Sequence, residues 1–594
     1  MLKKFSAPLA ALGLIVSTGW AAPLDAYLGE SVDFHFSLRS PAETRASWKT
    51  HPLAKLAADP QLKAFFDPLF EEEDETEEES FTEVMEREFD LTWDELFELL
   101  PGQVTLSWFN MPELILGQDE RPELVIMAEF SGDAERLKEL MQVQFERNAA
   151  KQKEINPAIE HVMIEETFMG ETLHLDETFD GKRTYIEDGY AFVDGIFLLA
   201  TPETQLRSAV EAIKVGPESP LINTITHQRS REEGGRGDLA LYLNLESIMP
   251  PLNEALLEQS MANGAAMAGL SAKSLDAALS LKSMQALFVD VDLIETGLSS
   301  HSGIIYREKA GLLSLLTYRD GPLPRADYVP EDIYSTSVST LDFGAMLAQL
   351  ETLLGGASPT LPPLINMQLR NIRSQTGVDL RSSILENFAD SMVSLAALPT
   401  DQRGAAAIYQ PEQVFVVGVR DAEALSGALE ALIDLVPGAR DQIEEQRFAG
   451  QTIRTLRGRA DPNMPEAQAT DVSYVITRSQ FIFNYGGASL LKEALTRMES
   501  GESGFWQQES TERLFEPIGE DGAVSRSYAD LEEIVQPILQ TIVQTSQFGL
   551  GNGQLDVGDI PTDLEVPFYL ISELNEARDG FFTRSLMIQR EAAE

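Results

Sequence analysis

The chain has 594 residues, with 45 Lys and Arg against 96 Asp and Glu, giving a formal net charge of −51; it has no Cys and 6 His. Lack of Cys excludes a disulfide framework, a thiolate zinc site, an iron–sulfur cluster and a Cys nucleophile. The acid surplus repels phosphate backbones and anionic lipid surfaces, so neither nucleic acid nor a membrane surface is an expected partner.

In chain order, Met1 to Lys4 is a short basic start and Phe5 to Thr18 is apolar apart from small hydroxyl residues. Gly19-Trp20-Ala21 then places small residues at the −3 and −1 positions of a cleavage site before Ala22. This is the layout of a signal peptide over residues 1–21. The leader's apolar core, about 14 residues, is too short to span a bilayer comfortably. No later stretch reaches ~18 uninterrupted apolar residues, so no membrane span is expected after leader removal. The expected location is exported, periplasmic or extracellular.

Val32 to Leu38 alternates and predicts a strand; Thr44 to Leu56 predicts one helix, ending near Asp59-Pro60. Glu71 to Glu79 holds eight acids in nine residues, which reads as a solvated, self-repelling insertion. Strands follow at Gln103 to Phe109 and Glu123 to Phe130. Leu124-Val125-Ile126-Met127 is a continuous apolar run, so that strand should be central and covered on both faces. Asp133 is placed to cap a helix running to about Gln152. Short strands at 171–175, 183–186, 190–193 and 196–200, separated by Asp-Gly turns, predict a hairpin meander. Pro202 then opens an amphipathic helix to Ile213. Met261 to Met284, rich in small residues and Met, reads as a helix packed on the sheet.

The second part of the chain repeats this order. Gln103-Val104-Thr105-Leu106 returns as Met392-Val393-Ser394-Leu395, spaced by 289, and Pro122-Glu123-Leu124-Val125 as Pro411-Glu412-Gln413-Val414 at the same spacing. Asp133 returns as Asp421, Phe168-Met169-Gly170 as Phe448-Ala449-Gly450, and Tyr190 as Tyr474. The clearest pair, Tyr242 to Ile248 against Tyr528 to Ile534, is gap-free at a spacing of 286. Repetition at long period predicts two homologous halves. The fold class is α+β, each half a mainly antiparallel sheet with packed helices. The boundaries read as 1–21 leader, 22–320 first half, 321–331 linker and 332–594 second half.

Chemistry is thinly signalled. Asp176, Asp180, Gly181 and Glu187 fall at the first, fifth, sixth and twelfth positions of an EF-hand loop, which makes Asp176, Asp180 and Glu187 the metal candidates and calcium the ion. Thr178 stands at the third position and Arg183 where an apolar residue normally packs. The flanks read as strands, which favours a hairpin around an Asp-Gly turn. The six His have no His-Glu-x-x-His spacing, and no Gly-x-Ser-x-Gly elbow is present, so no catalytic residue is assigned.

Three segments resemble an uncharacterised family of exported bacterial proteins catalogued as a domain of unknown function. They are Ser37-Leu38-Arg39 to Leu56, Leu96 to Val104, and Tyr190 to Pro202. The resemblance implies an exported protein and carries no catalytic residue. The expected function is a non-catalytic binding or structural module of the bacterial cell envelope, with an unknown protein or small-molecule partner. A carrier or scaffold for an apolar ligand and a carboxylate-based hydrolase are the alternatives.

Overall fold

The computed structural model describes residues 23–62, 64–65, 93–118, 121–235, 237–262, 272–397, 412–458, 471–519, 522–535, 539, 561 and 564–590. The leader and the acidic run at Glu71 to Glu79 lie outside them. Among the described residues the chain divides into two units. The first takes 23–55, 93–256 and 282–307; the second takes 56–65, 257–281 and 308–590.

The first unit has ten described strands: β1 (Phe34–Leu38), β2 (Val104–Trp108), β3 (Leu124–Glu129), β4 (Glu160–Phe168), β5 (Glu171–Phe179), β6 (Thr184–Val193), β7 (Ile196–Thr201), β8 (Leu239–Asn244), β9 (Met284–Ile294) and β10 (Gly297–Tyr306). Neighbours run β10-β9-β8-β1-β2-β3-β7-β6-β5-β4, every pair antiparallel. The apolar run of β3 therefore lies inside the sheet, between β2 and β7.

Both faces of β3 are covered, as alternation requires. Helix α1 (Ala134–Ile155) sets Leu137 and Leu140 against Val104, Ala128, Tyr190 and Phe197. On the other face lies α2 (Glu203–Val215), with Leu206 and Val210 fully buried. Gly189 marks how closely α2 approaches, since a Cβ there would sit 2.7 Å from the His174 carbonyl oxygen and 3.0 Å from Leu206 Cδ2. A third helix, α3 (Ile225–Gly234), packs on β9 and β10. Asp133 caps α1 as its position predicts, accepting from the Arg136 N–H at 3.1 Å.

The second unit has β11 (Ser335–Ser339), β12 (Phe388–Ala397), β13 (Glu412–Val419), β14 (Ile443–Phe448), β15 (Gln451–Leu456), β16 (Val472–Ile476), β17 (Gln480–Tyr485), β18 (Ala523–Asp530), β19 (Phe568–Ala577) and β20 (Gly580–Gln589). Their order is β20-β19-β18-β11-β12-β13-β17-β16-β15-β14, which is the first unit's order with every number raised by ten. Helices α4 (Ala422–Leu435) and α5 (Ser489–Ser500) occupy the chain positions of α1 and α2. Asp421 caps α4 at 2.9 Å from the Ala424 N–H. Met169-Gly170 and Ala449-Gly450 both turn with positive φ at both residues, the conformation a two-residue hairpin of this hand requires.

Ladder partners keep most of the sequence spacings and change one. Met127 faces Leu198 as Val416 faces Ile482, spacings of 289 and 284. But Val125 faces Ser107, whereas Val414 faces Leu395, so β2 and β12 correspond at 288 rather than 289. A one-residue change swaps the two faces of a strand, and β12 carries a register shift between Phe388 and Met392 that accommodates it.

Local differences from the sequence reading have local causes. The single helix expected over Thr44 to Leu56 is two, Pro41–Thr50 and Pro52–Ala57, because Pro52 has no N–H to continue the first. His51 at the break turns its ring inward, with Nε2 at 2.9 and 2.8 Å from the carbonyl oxygens of Ile294 and Gly297. Strand β4 was not foreseen; its sequence is mostly polar and its side chains are largely exposed. The strands expected at 183–186 and 190–193 are one, since Glu187-Asp188-Gly189 forms a bulge instead of a turn. Residues 321–331 form no helix or strand, yet Ala326, Tyr328 and Val329 are buried.

Candidate metal centre

The ladder of β4, β5 and β6 gathers the one group of His, Asp and Glu among the described residues that could hold a metal ion. Pairing of β5 with β6 is regular from Phe179 to Glu177 and shifts before Leu175, so Glu187 and Asp188 together oppose Asp176. Such bulges re-aim side chains and concentrate two residues against one. On β5, Asp176 and Thr178 share a face by alternation, and His161 of β4 stands opposite Thr178.

His161, Asp176 and Glu187 each bring one ligand atom into a set lying within 4.8 Å of one another. His161 Nδ1 lies 2.9 and 3.0 Å from the two Asp176 oxygens and 3.0 Å from Thr178 Oγ1. The Thr178 hydroxyl also has Asp176 Oδ1 at 3.3 Å and Glu187 Oε2 at 3.4 Å, and its one hydrogen serves one of them at a time. The His161 and Asp176 side chains are 3% and 11% exposed. Phe145 of α1 stands edge-on to the His161 ring, and His161 Nε2 is buried without a hydrogen-bond partner.

Acceptors and negative charge are in excess. Asp176 and Glu187 meet one imidazole and one hydroxyl, and a third carboxyl, Asp188, feels the charge of both. The strain shows at Asp188, whose carboxyl is pushed up to about 7 by burial first and then by the charges of Asp176 and Glu187. A divalent cation would relieve that excess.

Asp180 is not in the group. It sits at the hairpin turn, where its carboxylate accepts from the backbone N–H of Lys182 at 2.8 Å and Arg183 at 2.9 Å. Those bonds hold its carboxyl below the usual carboxylate range. The spacing thus points to two of the three members of this group for a reason unrelated to the EF-hand: a hairpin brings positions 176 and 187 across from one another. His161 was missed because β4 was not recognised.

The other polar cluster of the first unit is core. His35 Nδ1 meets Ser107 Oγ at 3.1 Å, and Asp25, His227 and Arg231 lie nearby, with Arg231 Nη2 3.0 Å and His227 Nε2 3.8 Å from Asp25 Oδ2. The residue types match a hydrolytic triad, but Ser107 is 0% and His35 2% exposed. Burial drives His35 down to about 3 and His227 down to about 4, too acidic to take a proton from Ser near neutrality.

No family model and no curated protein matches the chain, so the family resemblance drawn from the three sequence segments gains no support. Among solved structures, crystal form I of TP0453 is similar at 11% identity and a TM-score of 0.21, over 46% of this chain and 82% of that one. Crystal form III of TP0453 is similar at 8% identity and a TM-score of 0.23, over 51% and 89%. No described helix is long and apolar enough to cross a membrane.

Proposed function

We propose that the protein is an exported, non-catalytic binding module of the bacterial cell envelope whose first unit holds one divalent transition-metal ion. The observation that carries the metal is the convergence of His161, Asp176 and Glu187 on the bulged strand β6. Export rests on the leader-like residues 1–21.

The donor set selects the ion. One imidazole nitrogen and two carboxylates suit zinc, which accepts four such ligands with water as the fourth. Calcium takes six to eight oxygen ligands, which this set does not offer. The reading therefore replaces calcium by a zinc-type ion.

The test is thermal unfolding of the leader-free chain, stripped with chelator, then titrated with zinc or calcium. Zinc at 100 times its dissociation constant contributes about 2.7 kcal/mol, enough to raise the midpoint of the first unit by roughly 5 °C or more. One equivalent is expected, and the Asp176→Asn, Glu187→Gln double variant should lose the response. A zinc shift unchanged in that variant would sink the proposal, as would a larger shift with calcium.

A further inference from the structure

Each unit carries a cleft beside its central strand, between the segment ahead of its first strand and the end of a helix. In the first it lies between Tyr27 to Ser31, Met127 of β3 and the end of α2 at Ala212 and Gly216, with a volume of about 620 Å³. In the second it lies between Pro324 to Tyr328, Val416 of β13 and the end of α5 at Arg497 and Gly501, with a volume of about 400 Å³. Four lining positions correspond: Tyr27 with Tyr328, Met127 with Val416, Ala212 with Arg497, and Gly216 with Gly501. Tyr27 and Tyr328 each stand eight residues ahead of His35 and Thr336, which face Tyr242 and Tyr528. Gly216 and Gly501 both end their helices with positive φ, donating to the carbonyl oxygens of Ala212 and Arg497 at 2.9 Å.

What differs is charge. The first cleft is rimmed by Glu30, Glu211 and Glu218. The second has Arg325 and Arg497 with a single acid, Asp327, over a floor of Val393, Val416 and Met498. At the helix position where the first unit has Ala212, the second presents a guanidinium. With Asp327 in the lining and Glu493 beside Arg497 the second cleft is close to neutral, and it alone of the two offers guanidinium donors.

We propose that the second-unit cleft binds a small organic anion with an apolar body, its carboxylate on Arg497 and Arg325 and its chain on the Val393–Val416–Met498 floor. Size and mixed lining suit a small ligand, and the planar guanidinium matches a carboxylate in two parallel bonds. Arg497 is 18% exposed, and its present partners are at long range: Glu493 at 3.6 Å and the Ser503 carbonyl oxygen at 3.4 Å. Exchanging them for a bound carboxylate therefore gives up little. The acid-rimmed first cleft repels the same ligand.

The experiment is calorimetric titration of the whole leader-free chain with sodium octanoate, and separately with octylammonium chloride, in chelator and at one ionic strength. Chelator keeps the result independent of the metal proposal. One octanoate per chain is expected, weakened at least tenfold in Arg497→Gln. Arg325→Gln, at an exposed residue, should weaken it several-fold and carries the test if Arg497→Gln lowers the unfolding midpoint. Absence of octanoate binding overturns the proposal. So does binding that neither substitution weakens, or octylammonium binding that both substitutions weaken equally.

Discussion

Two buried acids occupy the same ladder position 283 residues apart. Asp290 of β9 faces Ala240, and Glu573 of β19 faces Arg526, with Tyr242 and Tyr528 two residues on along the facing strands. Asp290 is held by the Gly237 N–H at 3.2 Å and by Arg231 of α3 at 3.8 Å; Glu573, 0% exposed, is held by the Arg526 guanidinium. Burial of such a charge is tolerated only with its partner in place. Arg526→Met should therefore lower the urea midpoint, and adding Glu573→Leu should restore most of the loss. Equal stability of Arg526→Met and the natural chain would refute the pairing. His35 and His227 make a second residue-scale case. Both fold with depressed values, about 3 and about 4, because burial disfavours the imidazolium. Above pH ~6.5 both states are neutral at these groups; below it only the unfolded chain takes the protons. Stability is thus full above that pH and falls as pH drops towards the folded values. Asp188 and Asp290, raised to about 7 and about 6, act in the opposite sense over part of this range. A His35→Gln variant cancels those shared terms. Its midpoint should fall less than the natural chain's between pH 7 and pH 4.5, and parallel pH curves would contradict the assignment.

At the scale of elements, the bulge in β6 sits at the Asp176 position of the β5–β6 ladder. The counterpart ladder of β15 and β16 runs from Arg454 opposite Tyr474 to Leu456 opposite Val472. In the first unit the position of Arg454 is taken by His174, whose ring stacks on Tyr190 at 4.5 Å, while Arg454 lies 5.9 Å from the Tyr474 ring. The same aromatic seat thus takes either group. Ile186 faces Glu177, so regular pairing already sets Glu187 opposite Asp176, and the extra residue is Asp188. Deleting Asp188 should regularise the hairpin with Glu187 still opposite Asp176, leave the chain folded by circular dichroism, and keep the zinc-dependent rise in unfolding temperature. A lost rise would show that the bulge, and not the hairpin register, positions the three side chains. Strand β3, the capped start of α1 and the opening of α2 at Pro202 were legible because apolar run length, an Asp N-cap and a Pro at a helix start are local signals. Strand β4 was not, because a polar edge strand is set by its partner β5 rather than by its own pattern.

At the scale of the whole molecule, a charge of −51 makes self-repulsion a standing cost of folding. Salt screens it, so in chelator the unfolding midpoint should rise between 20 and 200 mM sodium chloride; a flat or falling curve would mean that ion pairs such as Arg207 with Glu203 and Glu166 outweigh the repulsion. The shared strand order places the buried acids Asp290 and Glu573 at matching positions, while the two clefts share only part of their lining and differ in charge. By itself the sequence determined the α+β class, the central strand, the caps and turns, and the long-period repetition. These rest on propensity and periodicity, which act over a few residues. Only the tertiary structure decided that 176 and 187 meet His161 while 180 stays at the turn, that two His and two Asp are sealed in the core, and that Arg497 lies over an apolar floor. Each of these depends on strand register and on which helix covers which face, and a one-residue slip would change them all.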